Sequence, residues 1–233
     1  MPLVLQPATE ADAPRAAQIE NLAYAANPFN KFLFPGPFPE PESGRNPRAE
    51  EMIKVLQEDP SVRWLKVVDT DIEPTEDNAQ MIAFGQWNLK DGRQIPEKPR
   101  TWGPGCNAEA CDTLFNGLAR LRTKHFSDKK HVRKLTDASS TLFKPRTKSC
   151  IDLRLLQVDP KHQRRGAGKM IVTYVIEQAK ALGLPMFLES TVEGHPLYLS
   201  CGFRDFDLQV VNFAKWGKDA DNVSYFMRLE TQG

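Results

Sequence analysis

The sequence predicts an α/β fold in which strands and helices alternate, and three observations lead to this prediction. An apolar strand at 151–158 passes through a glycine-containing turn into an amphipathic helix, whose apolar residues repeat at helical spacing up to Leu182. Gly183 and Pro185 then end that helix and precede a short apolar strand at 186–190. Near the end of the chain, apolar residues alternate with mostly polar ones, as in an antiparallel hairpin.

The remaining elements are predicted from their boundaries. Thr9 and Asp12 have the spacing of a capping box and predict the start of the first helix, which Pro28 ends. The segment from Pro28 to Pro47 is rich in proline and phenylalanine, so we expect a packed loop there. Further elements are predicted as a strand at 3–5, a helix at 47–58, strands at 62–68 and 80–87, a helix at 107–126, a short helix at 196–200 and hairpin strands at 204–213 and 223–229.

A long segment separates two of the predicted strands. About sixty residues lie between Lys90 and Cys150, and glycines and prolines mark their first part as a loop. The segment then includes the predicted helix at 107–126 and a basic stretch at 124–134. We predict a single domain over 1–233 with an insertion at about 90–149, and we expect this insertion to influence substrate choice.

Composition and charge argue against several classes of partner. The chain has 31 basic and 30 acidic residues and a net charge of +1, so no global field favours nucleic acid or an anionic membrane. No run approaches the roughly 20 apolar residues that span a bilayer. The start of the chain lacks the features of a secretory leader, and four cysteines make no dense disulfide framework. We therefore expect a cytoplasmic protein. Cys106 and Cys111 lack a second ligand pair, so no metal is predicted.

The turn before the amphipathic helix has the features of a phosphate-binding loop. Glycines let backbone N–H groups approach phosphate oxygens, and the positive end of the helix dipole favours an anion. A Walker A loop would need a glycine where Gln163 stands and a Ser or Thr in place of Met170. A dinucleotide fingerprint would need a glycine in place of Ile171. Both of these nucleotide motifs are therefore excluded by spacing.

The loop and a second motif together resemble a known family. Gln163-Arg164-Arg165-Gly166-Ala167-Gly168 has the pattern Gln-x-x-Gly-x-Gly, and it is followed by Tyr198-Leu199-Ser200-Cys201-Gly202-Phe203. In this order of strands and helices, the two motifs resemble the acyl-CoA-binding signature of the GCN5-related N-acetyltransferase (GNAT) superfamily. The resemblance implies a mixed, mostly antiparallel central sheet, with one splayed parallel strand pair and helices on both faces. It also implies acetyl-CoA as co-substrate.

The resemblance assigns roles to individual residues. Leu156, Gln157 and Val158 would offer backbone hydrogen bonds to pantetheine, and an N–H near Val158 would polarise the thioester carbonyl. Tyr198 would hydrogen-bond or protonate the leaving thiolate. The pyrophosphate would be held by Gln163, Arg164, Arg165, Gly166, Ala167, Gly168 and Lys169.

The attacking amine needs a proton acceptor, because an alkylamine with a pKa near ~10.4 is protonated at neutral pH. Glu189 is the first candidate for this base and Glu193 the second. The sequence favours an acetyl-CoA-dependent N-acetyltransferase that acts on the primary amine of a small molecule. A protein lysine or N-terminal acetyltransferase and a weakly catalytic acyl-CoA-binding regulatory module remain as alternatives. Members of the family often dimerise, so a homodimer is also open.

Overall fold

The computed structural model describes residues 2–40, 44–90, 99–126 and 149–231. Its strands are β1 Leu3–Pro7, β2 Val62–Asp69, β3 Met81–Lys90, β4 Cys150–Val158, β5 Met186–Ser190, β6 Arg204–Asn212 and β7 Asp221–Leu229. Its α-helices are α1 Ala13–Ala25, α2 Asn30–Leu33, α3 Pro47–Glu58, α4 Ala108–Cys111, α5 Gly117–Phe126, α6 Ala167–Leu182 and α7 His195–Ser200.

The seven strands form one sheet in the order β1-β2-β3-β4-β5-β7-β6. Every neighbouring pair is antiparallel except β4 and β5, which run parallel. A parallel pair needs a crossover connection, and α6 supplies it between these two strands. The predicted fold class, a mixed and mostly antiparallel sheet with one parallel pair, is confirmed.

Helices cover both faces of the sheet, as predicted. On one face α6 packs Ile171, Val172 and Val175 against the strands, in a core that includes Leu153 and Met186. The opposite face is covered by other helices, and its buried residues include Ala16, Ile19, Met52, Trp64 and Phe84 from α1, α3, β2 and β3.

One glycine sets how closely α6 approaches the sheet. A Cβ atom at Gly85 of β3 would lie 2.7 Å from Cγ2 of Ile171, closer than packed side chains tolerate. Gly85 is therefore required for close contact between helix and sheet.

Most predicted boundaries agree with the structure to within a few residues. The capping box forms as predicted, because the Thr9 N–H donates to the Asp12 carboxylate at 2.8 Å. The structure differs in the proline-rich segment, which includes the one-turn helix α2. It also differs at 107–126, where a π-helical turn at Asp112–Asn116 separates α4 from α5.

The predicted insertion is described only in part. The Asn116 side chain accepts from the Arg100 N–H at 3.0 Å and donates to its carbonyl at 3.2 Å, which joins the loop to the π-helical turn. His125 and Lys124 at the end of α5 contact the Asp207 carboxylate of β6 at 2.6 and 3.1 Å. Most of the predicted basic stretch at 124–134 lies outside the described residues.

Within the described ranges, no helix combines the length and the apolar character needed to cross a bilayer. The same ranges contain no group of three His, Cys, Asp or Glu side chains that could hold a metal ion. All four cysteines are free thiols.

Candidate active site

The central feature of the site is a gap between the two parallel strands. β4 and β5 pair only from Ile151 with Met186 to Leu153 with Leu188. Beyond this point β4 continues to Val158 without pairing on its β5 side. The gap thus leaves a row of backbone groups on one edge of β4 available to a ligand.

A bulge in β4 decides which of these groups face the gap. Leu153 pairs with Trp87 of β3 and Leu155 pairs with Gln86, so Arg154 is an extra residue between them. After the bulge, the Asp159 N–H donates to the Ile82 carbonyl of β3 at 2.9 Å.

Strand alternation then fixes the direction of the preceding N–H groups. Because the Asp159 N–H points to β3, the N–H of Gln157 also points to β3. The N–H groups of Leu156 and Val158 therefore point into the gap. The Val158 carbonyl already accepts from the Gln163 side chain at 3.3 Å.

The loop at the end of β4 has the backbone shape of an anion site. Arg164 and Gly166 have φ angles of 62° and 95°, and α6 starts immediately after Gly166. A Cβ atom at Gly166 would have no atom within 4 Å, so the space beside this glycine is open. The N–H groups of the first turn of a 16-residue helix point towards this space.

The predicted phosphate-binding residues divide into two sets. Ala167 and Gly168 are buried, and a Cβ atom at Gly168 would lie 3.4 Å from Leu197 and 3.5 Å from Val158. This contact brings α7 against the start of α6. The others are exposed at the rim of the loop: Gln163, Arg164, Arg165, Gly166 and Lys169.

A buried ion pair anchors the loop at its start. Arg15 of α1 contacts the Asp159 carboxylate at 2.7 Å, and both side chains are almost fully buried. Burial raises the pKa of Asp159, but the N–H of Lys161 and the Arg15 guanidinium together lower it by more than burial raises it. The carboxylate therefore stays charged. At the rim, Arg165 contacts Asp69 of β2 at 2.7 Å.

Tyr198 lies on α7, next to Leu197, which packs against the start of α6. Its side chain is 7% exposed and packs edge-on against Phe203 at a centroid distance of 5.9 Å. Burial, with smaller effects of Tyr24 and Cys201, raises the pKa of Tyr198 well above its usual value. The phenol therefore keeps its proton at neutral pH and is available as a hydrogen-bond donor.

Glu189 follows Leu188, the last residue of β5 that pairs with β4. Its neighbour Leu188 packs in the α6 core, so Glu189 projects from the opposite face of the sheet. Arg122 of α5 contacts both Glu189 carboxylate oxygens at 2.6 Å. Burial raises the pKa of Glu189, and the Arg122 and Arg154 guanidinium groups oppose this effect without cancelling it.

Two further side chains at the site were not identified from the sequence, which named Gln157 only for its backbone and did not name Tyr24. The Gln157 side chain shares the face of Glu189, because Leu156 and Val158 contact the α6 core. Gln157 is 4% exposed, and neither its amide oxygen nor its amide nitrogen has a hydrogen-bond partner among the described residues. A polar residue among the apolar residues at the end of β4 was the available signal.

The second missed residue is Tyr24, near the end of α1. Burial of its hydroxyl and then the Glu20 carboxylate raise the pKa of Tyr24, while the Gln157 amide and Arg48 act in the opposite direction. These effects place the phenol beside Gln157, although the two groups do not meet the geometry of a hydrogen bond. Tyr24 also contributes to the raised pKa of Tyr198.

Comparisons with known proteins agree with this geometry. A family model described as "Acetyltransferase (GNAT) domain" matches residues 135–205. A search of curated protein sequences found no significant match.

Several solved structures have a similar fold. A histone acetyltransferase HPA2 and related acetyltransferase from Corynebacterium glutamicum is 16% identical, with 100% of this chain and 98% of that chain covered and a TM-score of 0.54. A polyamine N-acetyltransferase from Drosophila melanogaster is 15% identical, with 98% and 99% covered and a TM-score of 0.54. NAA60 from Arabidopsis thaliana in complex with acetyl-CoA is 13% identical, with 99% of each chain covered and a TM-score of 0.52.

Residues 135–205, which include both sequence motifs, match the acetyltransferase domain model, and the sheet order and the gap between β4 and β5 agree with that match. The match supports, over residues 135–205, the resemblance of the two sequence motifs to the GCN5-related N-acetyltransferase (GNAT) superfamily. At these sequence identities, the solved structures establish the fold but not the acceptor.

Proposed function

We propose that this protein transfers an acetyl group from acetyl-CoA to the primary amine of a small molecule. The observation that carries the proposal is the gap between β4 and β5, which ends at an anion-binding loop. An acyl-CoA has matching chemistry, since it joins a pyrophosphate to an extended arm with amide groups. The Drosophila relative is a polyamine N-acetyltransferase, and the Arabidopsis relative was solved with acetyl-CoA, which agrees with this proposal.

The loop and the strand would bind different parts of the co-substrate. We assign the pyrophosphate to the open space beside Gly166, where N–H groups and the positive end of the α6 dipole are directed. The Leu156 and Val158 N–H groups would donate to the pantetheine arm and the thioester oxygen, respectively. The Val158 N–H would then stabilise the negative charge that develops on that oxygen.

Three proton and bond changes complete the reaction. The neutral amine forms a C–N bond to the acetyl carbon, the C–S bond breaks, and the amine loses a proton. We assign proton removal to Glu189, directly or through a water molecule, because burial makes its carboxylate more basic than usual. We assign hydrogen bonding or proton donation at the departing sulfur to Tyr198, whose phenol keeps its proton.

Replacement of the Tyr198 hydroxyl tests this assignment. We expect Tyr198→Phe to lower kcat about 10-fold to 100-fold, since a group that donates to the leaving sulfur acts mainly in the transition state. Release of CoA thiol is measured with a panel of primary amines, and acetyl-CoA binding is measured by isothermal titration.

A matched variant controls for loss of a tyrosine hydroxyl elsewhere. Tyr174→Phe changes the same group on α6, where Tyr174 lines a pocket with Gly166 at the proposed pyrophosphate site and not at the thioester, and we expect wild-type kcat. Equal turnover by wild type and Tyr198→Phe would remove Tyr198 from the chemistry. Absence of thiol release with every amine, despite acetyl-CoA binding, would instead favour a regulatory acyl-CoA-binding module over an enzyme.

A further inference from the structure

Among the described residues, neither the oxygen nor the nitrogen of the Gln157 side-chain amide has a hydrogen-bond partner, and this side chain lies on the same face of the sheet as Glu189. A buried amide without partners is costly, because its oxygen and nitrogen lose their hydrogen bonds to water. The backbone of Gln157 pairs with β3, and its side chain projects from the face of the sheet opposite α6. The Gln157 amide is therefore available to bind a polar group of the acceptor substrate.

Gln157 differs from the charged residues around it. Arg122 contacts Glu189 at 2.6 Å, and Arg48 contacts Glu20 at 2.7 Å. Each of these side chains therefore has an ionic partner within the protein. The two Gln157 atoms that lack partners among the described residues are neutral, and neutral groups do not compensate a buried charge on a ligand.

We propose that the Gln157 side chain binds the acceptor, and that the acceptor carries an uncharged carboxamide near its amine. This inference rests on the proposed acetyltransferase function. A carboxamide offers one acceptor and one donor side by side, which complement the amide nitrogen and oxygen of Gln157. A carboxylate would accept from the Gln157 amide nitrogen but would place its second acceptor oxygen against the Gln157 amide oxygen, and an alkyl group would leave both Gln157 atoms without partners.

Three amines of equal heavy-atom skeleton test this preference. Glycinamide, glycine and isobutylamine differ only in the terminal group, which is a carboxamide, a carboxylate or two methyl groups. The β-alaninamide, β-alanine and isopentylamine series adds one carbon, and a glycine-initiated tripeptide tests the same carboxamide in a peptide. We expect the preferred carboxamide amine to exceed its alkyl counterpart about 10-fold to 100-fold in kcat/KM, as one or two hydrogen bonds would give.

Gln157→Leu isolates the contribution of the side chain. We expect the carboxamide-to-alkyl ratio to fall to within about threefold of unity in this variant. Intrinsic differences in amine reactivity cancel when the ratio is compared between the two proteins. Equal acetylation of glycinamide and the tripeptide would indicate recognition of the carboxamide alone, and stronger acetylation of one would identify its natural source.

Gln86→Leu is the matched control. Gln86 lies on β3, is also buried, and accepts from the Trp64 indole N–H at 3.2 Å. We expect Gln86→Leu to lower the melting temperature and to keep the wild-type amine ratio. Gln157→Leu should leave the melting temperature unchanged or raise it, because it removes a buried amide that has no partner.

The failure of this inference is distinguishable from failure of the proposed function. Acetylation with the same carboxamide-to-alkyl ratio in wild type and Gln157→Leu supports an acetyltransferase and overturns the role of Gln157. If no amine is acetylated, the proposed function fails. The dissociation constants of glycinamide and isobutylamine for the CoA-loaded protein are then measured and their ratio is compared between wild type and Gln157→Leu. An unchanged ratio again overturns the inference.

Discussion

Gly166→Glu is expected to weaken acetyl-CoA binding by at least about 100-fold, equivalent to about 2.7 kcal/mol. The new carboxylate would lie in the open space beside the start of α6, where we place the pyrophosphate. The carboxylate would itself interact with the positive end of the α6 dipole, and it would repel the pyrophosphate. Isothermal titration with acetyl-CoA measures the change, and ATP is included as an unrelated polyphosphate.

A second glycine supplies a control for backbone strain. Gly183 ends the same helix with a φ angle of 63°, and a Cβ atom there would also have no atom within 4 Å. Gly183→Glu therefore introduces the same side chain and a similar left-handed strain, about 1–2 kcal/mol, roughly 24 Å from Gly166. We expect it to bind acetyl-CoA like wild type. Equal binding by Gly166→Glu and wild type would show that the pyrophosphate lies elsewhere.

Glu189→Gln is expected to lower kcat/KM about 10²-fold to 10⁴-fold, the usual contribution of a general base. The glutamine keeps an oxygen that Arg122 is able to contact, so the local packing is largely retained. Steady-state kinetics with the best amine measure the loss. Glu20→Gln neutralises another carboxylate that is paired with an arginine, and we expect it to retain activity within about threefold.

The pH dependence of the same reaction gives an independent test. Burial raises the pKa of Glu189, so its active carboxylate form is lost as pH falls through this raised value, above the usual range of a glutamate. Below that pH, both Glu189 and the amine must lose a proton, and log kcat/KM should rise with a slope of about two. We expect a slope of about one throughout in Glu189→Gln. A slope of two that persists there but disappears in Glu193→Gln would identify Glu193 as the base.

The elements around the loop were predictable because their signals are local. The helical spacing of α6, the left-handed Gly183 and the apolar strand β5 each depend on a few neighbouring residues. The glycines before α6 likewise predict the anion site from one short stretch. These parts of the fold therefore follow from the sequence without knowledge of distant contacts.

The acceptor side of the site depends on contacts between distant segments. Glu189 was identified as a candidate base, but its pairing with Arg122 arises from the packing of α5 against the sheet. The bulge at Arg154 sets which β4 groups face the gap, and register of this kind has no local signal. Tyr24 reaches Gln157 only because α1 crosses β4, so neither side chain could be assigned to the site beforehand.

The most direct test of the account is amide hydrogen exchange of β4, resolved by residue, with and without saturating acetyl-CoA. We expect exchange at Leu156 and Val158 to slow about tenfold or more when acetyl-CoA binds, because their N–H groups point into the gap. The Gln157 N–H, which points to β3, should be protected in both states. Unchanged exchange at Leu156 and Val158 in the saturated protein would contradict placement of the acyl-CoA arm between β4 and β5.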